Sequence, residues 1–316
     1  MHSSIFFKLF PPPKFLLMPH VGIDISDDAI SLIEYSRPIG ERIIIKYANV
    51  PLPVGIIDGG DIKDEKKLIA ILGDTVKEHG IHYAKVSIPE EKAYLFETEV
   101  PYGDFRMISQ NIEFKLEENI PLSAADAVFA FDILAGTQGK PWRASVSAVP
   151  RTYIEHMMEL FRSSGITPVS FETTPRAIAR VISTQDDLDL IVVHAMKRKT
   201  GIYIVSQRTV GFTSTISVGS DEADSVEYVD ALIAEIGRVS TYWATKTESN
   251  SQPIKKVVIT GHDAERIVSA LHMKVSDAFM VEAVDVWKSI LNTNRYVPPI
   301  VKSDSFEYAP AAGLAL

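Results

Sequence analysis

The sequence predicts a duplicated α/β protein with a small α+β insert in its first half. Three observations carry that prediction. Near its start the chain forms a meander, in which Ile23, Ile25, Ile30, Leu32 and Ile33 flank the turn chemistry of Ser26-Asp27-Asp28, and Ile43-Ile44-Ile45 follows within ten residues. A second meander recurs at Leu190–Ala195, Gly201–Ser206 and Gly211–Val218, and each meander runs on into helical patterns. The halves differ mainly by residues 93–140, which read as a small unit of their own.

In chain order, Val50-Pro51-Leu52-Pro53 ends the first meander, and Gly55-Ile56-Ile57-Asp58-Gly59-Gly60 is a turn-rich connection whose spacing is wrong for a dinucleotide fingerprint. From Asp64 a helix follows, with Leu68, Ile69, Leu72 and Val76 on one face and Gly80 as its stop. Lys85–Pro89 and Ala93–Val100 read as strands around a charged turn. Asp104 caps a helix whose apolar face carries Phe105, Ile108, Ile112 and Leu116 and which ends at Pro121. Strands are expected at Ala127–Leu134 and Ala144–Val149, separated by a turn at Gly136–Gly139. Thr152 is the expected cap of a helix through Ile154, Met157, Met158 and Phe161. A short strand at Val169–Phe171 and a helix at Pro175–Ile182 complete the half.

The acidic run Gln185–Asp189 reads as a domain boundary, giving a leader (1–20), a first domain (21–184) and a second domain (185–316). After the second meander comes the longest helix, about Asp224–Lys246. A strand at Val257–Thr260 then passes through Gly261 into a helix over Glu265–Leu271. The tail Ala309–Leu316 is small and apolar.

Composition narrows the function. With no cysteine, disulfides, thiolate metal sites and Cys nucleophiles are excluded. A formal charge of −9 argues against a general nucleic-acid surface. No apolar run approaches the roughly 20 residues that span a bilayer. Residues 1–20 combine Phe6, Phe7, Phe10, Phe15, Leu16 and Leu17 with Lys8 and Lys14, and Pro11-Pro12-Pro13 interrupts what would otherwise resemble a secretory signal. That leader is either disordered or a segment that touches a membrane surface or partner. No HExxH, G-x-S-x-G or P-loop is present, and no catalytic or metal-ligating residue is assigned.

Seven stretches, in order, carry a resemblance to a known family. They are Gly22-Ile23-Asp24-Ile25, Gly55–Gly59, Glu113–Pro121, Ser147–Pro150, Gly165–Val169, Ala234–Arg238 and Ala312–Leu316. From about residue 20 to its end the chain resembles the type IV pilus assembly protein PilM family, cytoplasmic actin-like proteins related to FtsA. The resemblance implies an actin-like (ribonuclease H-like) fold of two domains around a nucleotide cleft. The 93–140 insert then stands where FtsA carries its distinctive subdomain. It further implies a place at the inner face of a bacterial inner membrane, and the cytoplasmic tail of a PilN-like membrane protein as partner. Self-association and filament formation are left open, and the type II secretion protein L, of the same fold, is an alternative relative.

If ATP and magnesium bind, the resemblance puts Asp24, Ser26, Thr200, Glu235, Arg238 and Gly261 in the cleft. The loops depart from the family pattern, however. Where it has Gly, hydroxyl residues and Lys in the first phosphate loop, this chain has Ser26, Asp27, Asp28 and Ser31, and the second loop's Asp-x-Gly is His194-Ala195-Met196. Carboxylates where phosphates should sit oppose a nucleotide, so the cleft reads as degenerate and the protein as a scaffold more than an ATPase. Lys197, Arg198 and Lys199 follow on the second loop. Either these cations pair directly with Asp27 and Asp28 across the cleft, Arg198 being best suited to a bidentate contact, or both loops are solvated tips. For the partner's tail, the expected groove lies between the first domain and the insert, lined by Leu95, Phe96, Ile108, Ile112 and Phe131, each of which also suits a core.

Overall fold

The structure is a computed structural model that describes residues 20–36, 42–135, 139–182, 189–206, 208–246, 254–275 and 279–316. The leader, apart from His20, and residues 185–188 of the expected boundary lie outside the described residues. The opening meander forms β1 (Val21–Ile25), β2 (Ala29–Tyr35) and β3 (Ile44–Pro51), followed by a two-residue hairpin of β4 (Ile57–Asp58) and β5 (Asp61–Ile62) inside the turn-rich connection. Helix α1 (Glu65–His79) leads to β6 (Tyr83–Ile88). The Asp64 carboxylate caps α1 by accepting from the Lys67 N–H, and Gly80 ends it in the left-handed region at φ 59°.

The insert comprises β7 (Tyr94–Val100), α2 (Phe105–Asn119), β8 (Ala127–Ala135) and β9 (Trp142–Pro150). Its strand order is β7-β9-β8, so the strand expected beyond the insert is its central one, and the unit closes at Pro150, not at residue 140. Asp104 caps α2 as expected, accepting from Met107 N–H. The helix lays Ile108, Ile112 and Leu116 on Ala144, Val146 and Ala148 to make a separate small core. Helix α3 (Arg151–Ser163) starts directly after Pro150 with no side-chain cap, so Thr152 does not have the expected role. Proline already lacks the N–H, and its fixed φ makes a natural entry to a helix. β10 (Thr167–Thr173), longer than expected, and α4 (Thr174–Ile182) finish the half.

The second half repeats the plan with β11 (Leu190–Ala195), β12 (Thr200–Ser206), β13 (Thr209–Ile216), α5 (Val226–Lys246), β14 (Lys256–Gly261), α6 (Ala264–Val275) and β15 (Met280–Ala283). The two sheets run β10-β6-β1-β2-β3 and β13-β12-β11-β14-β15. In each, three antiparallel strands are extended by two parallel ones. The duplication read from the meanders is therefore a duplication of sheet topology. Both first strands, β1 and β11, are central and buried along their whole length, which explains their continuous apolar runs.

Three short helices close the chain: α7 (Val286–Ile290), α8 (Lys302–Ser305) and α9 (Ala309–Leu314). The small, apolar tail becomes α9, and it packs on α4 and β1 of the first domain. One core therefore runs from Val192 and Ile259 in the second sheet through Ala312 of α9 and Ile178 of α4 to Ile33 of β2. Small residues permit this approach, since a Cβ at Gly313 would lie 1.9 Å from the Ala177 carbonyl oxygen and one at Gly22 would lie 2.2 Å from that of Ala311. Arg180 on α4 donates to the Gly313 carbonyl at 2.5 Å and so holds the end of α9.

Because the atoms a Cβ at Gly313 would meet are all Ala177 backbone, Gly313→Ala forces α4 and α9 apart. Overpacking of this kind costs about 1–3 kcal/mol, and urea unfolding of the variant should show a midpoint lowered accordingly. An unchanged midpoint would mean that the two helices are not in tight contact.

Candidate functional site

Two turns face each other where β1 enters β2 and β11 enters β12. In the first, the Ser26 hydroxyl oxygen accepts from the N–H groups of Asp28 and Ala29 at 3.2 and 3.1 Å, fixing a tight serine turn. This aims Asp27 at the β4–β5 hairpin, where its two oxygens accept from Gly59 and Gly60 N–H at 2.8 and 3.0 Å. The second turn is closed by Met196 N–H donating to the Lys199 carbonyl at 3.0 Å.

Across the gap the opposite charges meet. Asp28 accepts from Lys197 N–H at 3.1 Å, and its other oxygen lies 3.5 Å from Arg198 Nε. Arg198 Nη1 also lies 3.9 Å from Asp58. Lys199 Nζ sits 2.5 Å from Glu91 and 3.5 Å from Asp27. The turns are therefore joined by the protein's own ions, and they are not solvated tips. The division of labour differs from expectation, because Arg198 makes no bidentate contact and Lys197 contributes its backbone. The buried cation is Lys199, 8% exposed. Burial opposes its charge, but Glu91, Asp27 and Glu90 outweigh that and hold its pKa above the ordinary lysine value.

Beneath the turns lies a polar layer that sequence patterns did not reveal. A 3₁₀ turn, Glu90–Lys92, follows β6 and carries Glu90 into the second domain. There Tyr203 Oη donates to Glu90 Oε1 at 2.9 Å and Thr215 Oγ1 reaches the same oxygen at 3.5 Å. Burial, with Glu91 adding repulsion, pushes the Glu90 carboxyl up to about 7. Asp24, at the end of β1, is raised to about 6 by burial, partly offset by hydrogen bonds from Ser87 and Thr174. His194 is pushed down to about 3 by burial and by Lys199, so it is a neutral imidazole beside Tyr203 Oη, 3.4 Å away. The one legible trace of this layer was Gly201, where a Cβ would lie 2.6 Å from Glu90 Oε1.

Of the six residues assigned to a nucleotide, Asp24, Ser26 and Gly261 line one cavity of about 240 Å³, whose wall also carries Asp28, His194, Met196, Lys197 and Glu307. The other three are elsewhere. Thr200 is fully buried and donates to the Val218 carbonyl at 2.9 Å. Glu235 and Arg238 pair with each other at 2.5 Å on α5, and Ser214 also donates to Glu235. Gly261 has a structural reason to be glycine, with φ 92° and a Cβ position 2.1 Å from the Ala195 carbonyl.

The five residues expected to line the partner's groove separate as well. Ile108 and Ile112 are 3% and 0% exposed in the insert's core, so neither can face a peptide. Phe96 and Phe131 pack against that same core. Leu95 projects from the opposite face of the insert's sheet and lines a cavity of about 20 Å³ with Asp132, Ser145, Pro175 and Val210. The aromatic that sequence reasoning had put inside, Phe105, is 74% exposed and stacks on Phe131 at 5.1 Å.

A family model described as "Type IV pilus assembly protein PilM" matches residues 22–222. A comparison with curated proteins gives no match. Among solved structures, one described as a PilM-PilN type IV pilus biogenesis complex superposes with a TM-score of 0.77 at 17% identity, covering 94% of this chain and 98% of that one. The cytoplasmic domain of EpsL, an inner membrane component of the type II secretion system of Vibrio cholerae, gives 0.49 at 11% identity over 92% and 94%. EutJ, an ethanolamine utilization protein from Carboxydothermus hydrogenoformans, gives 0.49 at 13% over 97% and 90%. The first match shows that the two sheets are arranged as in the actin-like fold.

The geometry separates Lys199 from Lys197. Removing a buried, paired cation strands its partners, at a cost of roughly 3 kcal/mol, so Lys199→Met should lower the urea unfolding free energy by that order. Lys197→Ala keeps the backbone donor and should change it by less than about 0.5 kcal/mol. Equal effects of the two substitutions would contradict the assignment.

Proposed function

The chain belongs to the type IV pilus assembly protein PilM family, and we propose that within it this protein is a nucleotide-independent scaffold. The observation that carries the proposal is the occupation of the cleft's donors. Backbone N–H groups of Gly59, Gly60 and Lys197 and the ammonium of Lys199 are the groups a phosphate would need, and Asp27 and Asp28 already take them. A triphosphate would have to displace two carboxylates and then lie against them. The remaining cavity brings Asp24, Asp28 and Glu307 to its wall against Lys197, an arrangement that does not fit a polyanion.

The partner in this reading is the cytoplasmic tail of a PilN-like membrane protein. The solved PilM-PilN complex, of the same fold, motivates the choice. Exposed large apolar side chains also gather on the insert, among them Tyr102, Phe105, Met107, Phe114, Val128 and Ile133. β8 is one of the two edge strands of the insert's sheet, the other, β7, lying by β13, and among the described residues no further strand pairs with its free edge. An extended tail adding there would gain main-chain hydrogen bonds and place alternate side chains beside Val128 and Phe105. Among the described residues no helix is long and apolar enough to cross a membrane. Attachment to the inner face of the inner membrane would then come through the partner.

Two calorimetric titrations of the purified chain test this. The tail of the PilN-like protein encoded beside it should bind with a Kd on the order of 1 μM, about −8 kcal/mol, and Phe105→Glu with Val128→Glu should weaken it at least tenfold while circular dichroism stays unchanged. Undiminished binding by that double variant would remove the β8 edge as the site. Magnesium-ATP should give no measurable heat of binding, and tight magnesium-dependent binding would overturn the scaffold reading.

A further inference from the structure

Glu90 belongs to the first domain, yet its carboxyl group is housed by the second. It reaches Tyr203 Oη and Thr215 Oγ1, and Gly201 leaves the space that a side chain would otherwise fill. The charged and titratable groups around it are unbalanced. Its own turn contributes Glu91, and β1 with its following loop contributes Asp24 and Asp27. The second domain faces it with Lys199, Tyr203 and the neutral His194. Arg176 of α4 and Asp132 of β8, paired with each other at 2.8 Å, line the small cavity on its remaining side. Lys199 is the buried cation of the layer, and it is already committed to Glu91 and Asp27.

We propose that Glu90 is a proton lock on the cleft: the two domains close over a protonated Glu90 and part more readily once it ionises. An ionised Glu90 in the closed cleft would add one more negative charge to a layer whose ammonium is spoken for, at a residue only 8% exposed. Protonated, the same carboxyl is neutral and still accepts from Tyr203 and Thr215. Opening the cleft returns the side chain to water, where charge costs little.

The direction of the pH dependence follows. In the closed cleft Glu90 titrates near 7, against an ordinary value of 4.5 for a glutamate in water. The closed state therefore holds the proton more tightly, so acid favours closure. That advantage is complete below about pH 4.5, falls as pH rises, and is gone above about pH 7. Between pH 5 and 8 the closing equilibrium should weaken on the order of fiftyfold.

The test uses the full chain and needs neither nucleotide nor partner. Amide exchange over residues 194–203, corrected for the intrinsic pH dependence, reports opening through the Lys197 N–H that donates to Asp28 across the cleft. In the wild type the opening constant should rise with pH as stated, and in Glu90→Gln the rise should shrink by about fivefold or more. The same pH dependence in both proteins overturns the proposal. A carbon-13 NMR titration of the Glu90 carboxyl in the unmodified chain guards against a variant that fails to fold. A midpoint near 7 supports the lock, and one near 4.5 refutes it. Because neither readout involves ATP or a membrane partner, failure here leaves the scaffold reading standing, and the reverse also holds.

Discussion

The arrangement of the two domains depends on where a single buried ammonium sits. Lys199 stands in a tight turn of the second domain and satisfies Glu91 and Asp27 of the first. An exposed pair of this kind would contribute at most about 1 kcal/mol, but here the desolvation has been met by geometry. Asp27 is held by two backbone N–H groups before it meets the lysine, and Glu91 is held by the 3₁₀ turn that also carries Glu90. The surrounding groups are already fixed in place, so the attraction is not spent on ordering flexible side chains.

A second contact also joins the two domains, and it is chemically unlike the clasp. There the domains are joined by small residues, with Gly22, Gly313, Ala311 and Ala312 letting α9 lie directly on β1 and α4. That contact is mainly apolar and continuous with the core, with Arg180 pinning the Gly313 carbonyl at its end. A molecule joined by a packed seam at one edge and by ions at the other will move, if it moves, about the seam. The carboxyl groups that burial raises, Asp24 and Glu90, lie at the ionic edge, and it is there that protonation acts on closure.

Much of this was legible in the sequence because it followed from periodicity. Alternating and continuous apolar runs located both meanders, and the helical spacing of Leu68, Leu72 and Val76 located α1. Opposed charges in the two turns left both a direct clasp and two solvated tips open, and the structure decides for the clasp. What escaped was the identity of the buried cation, since alternation along a turn cannot say which of three adjacent cations points inward. The 93–140 boundary failed because β9 continues the chain without a composition break, although it pairs with both other strands of the insert. Ile108 and Ile112 were ambiguous for a simpler reason. An apolar helix face looks the same whether it covers its own sheet or a partner's peptide.

The layer holding Glu90 was the least legible part, and its position has a structural consequence. Glu90 and Glu91 are adjacent on one turn, and they face different parts of the molecule. Glu91 belongs to the clasp, whereas Glu90 borders the cavity under the insert, where Leu95, Ser145 and Pro175 meet Val210 of the second domain. Ser145 of β9 donates to the Val210 carbonyl at 3.1 Å, so the insert touches the second domain as well as the first. Lys199, in the turn before β12, and Val210, on β13, both belong to the second domain, so opening of the cleft would part both contacts. Those strands and the Glu90–Lys92 turn link the insert to the clasp. On that path β12 and β13 are paired from Thr200 opposite Ile216 to Ser206 opposite Thr209, with one irregularity between Ile204 and Val205.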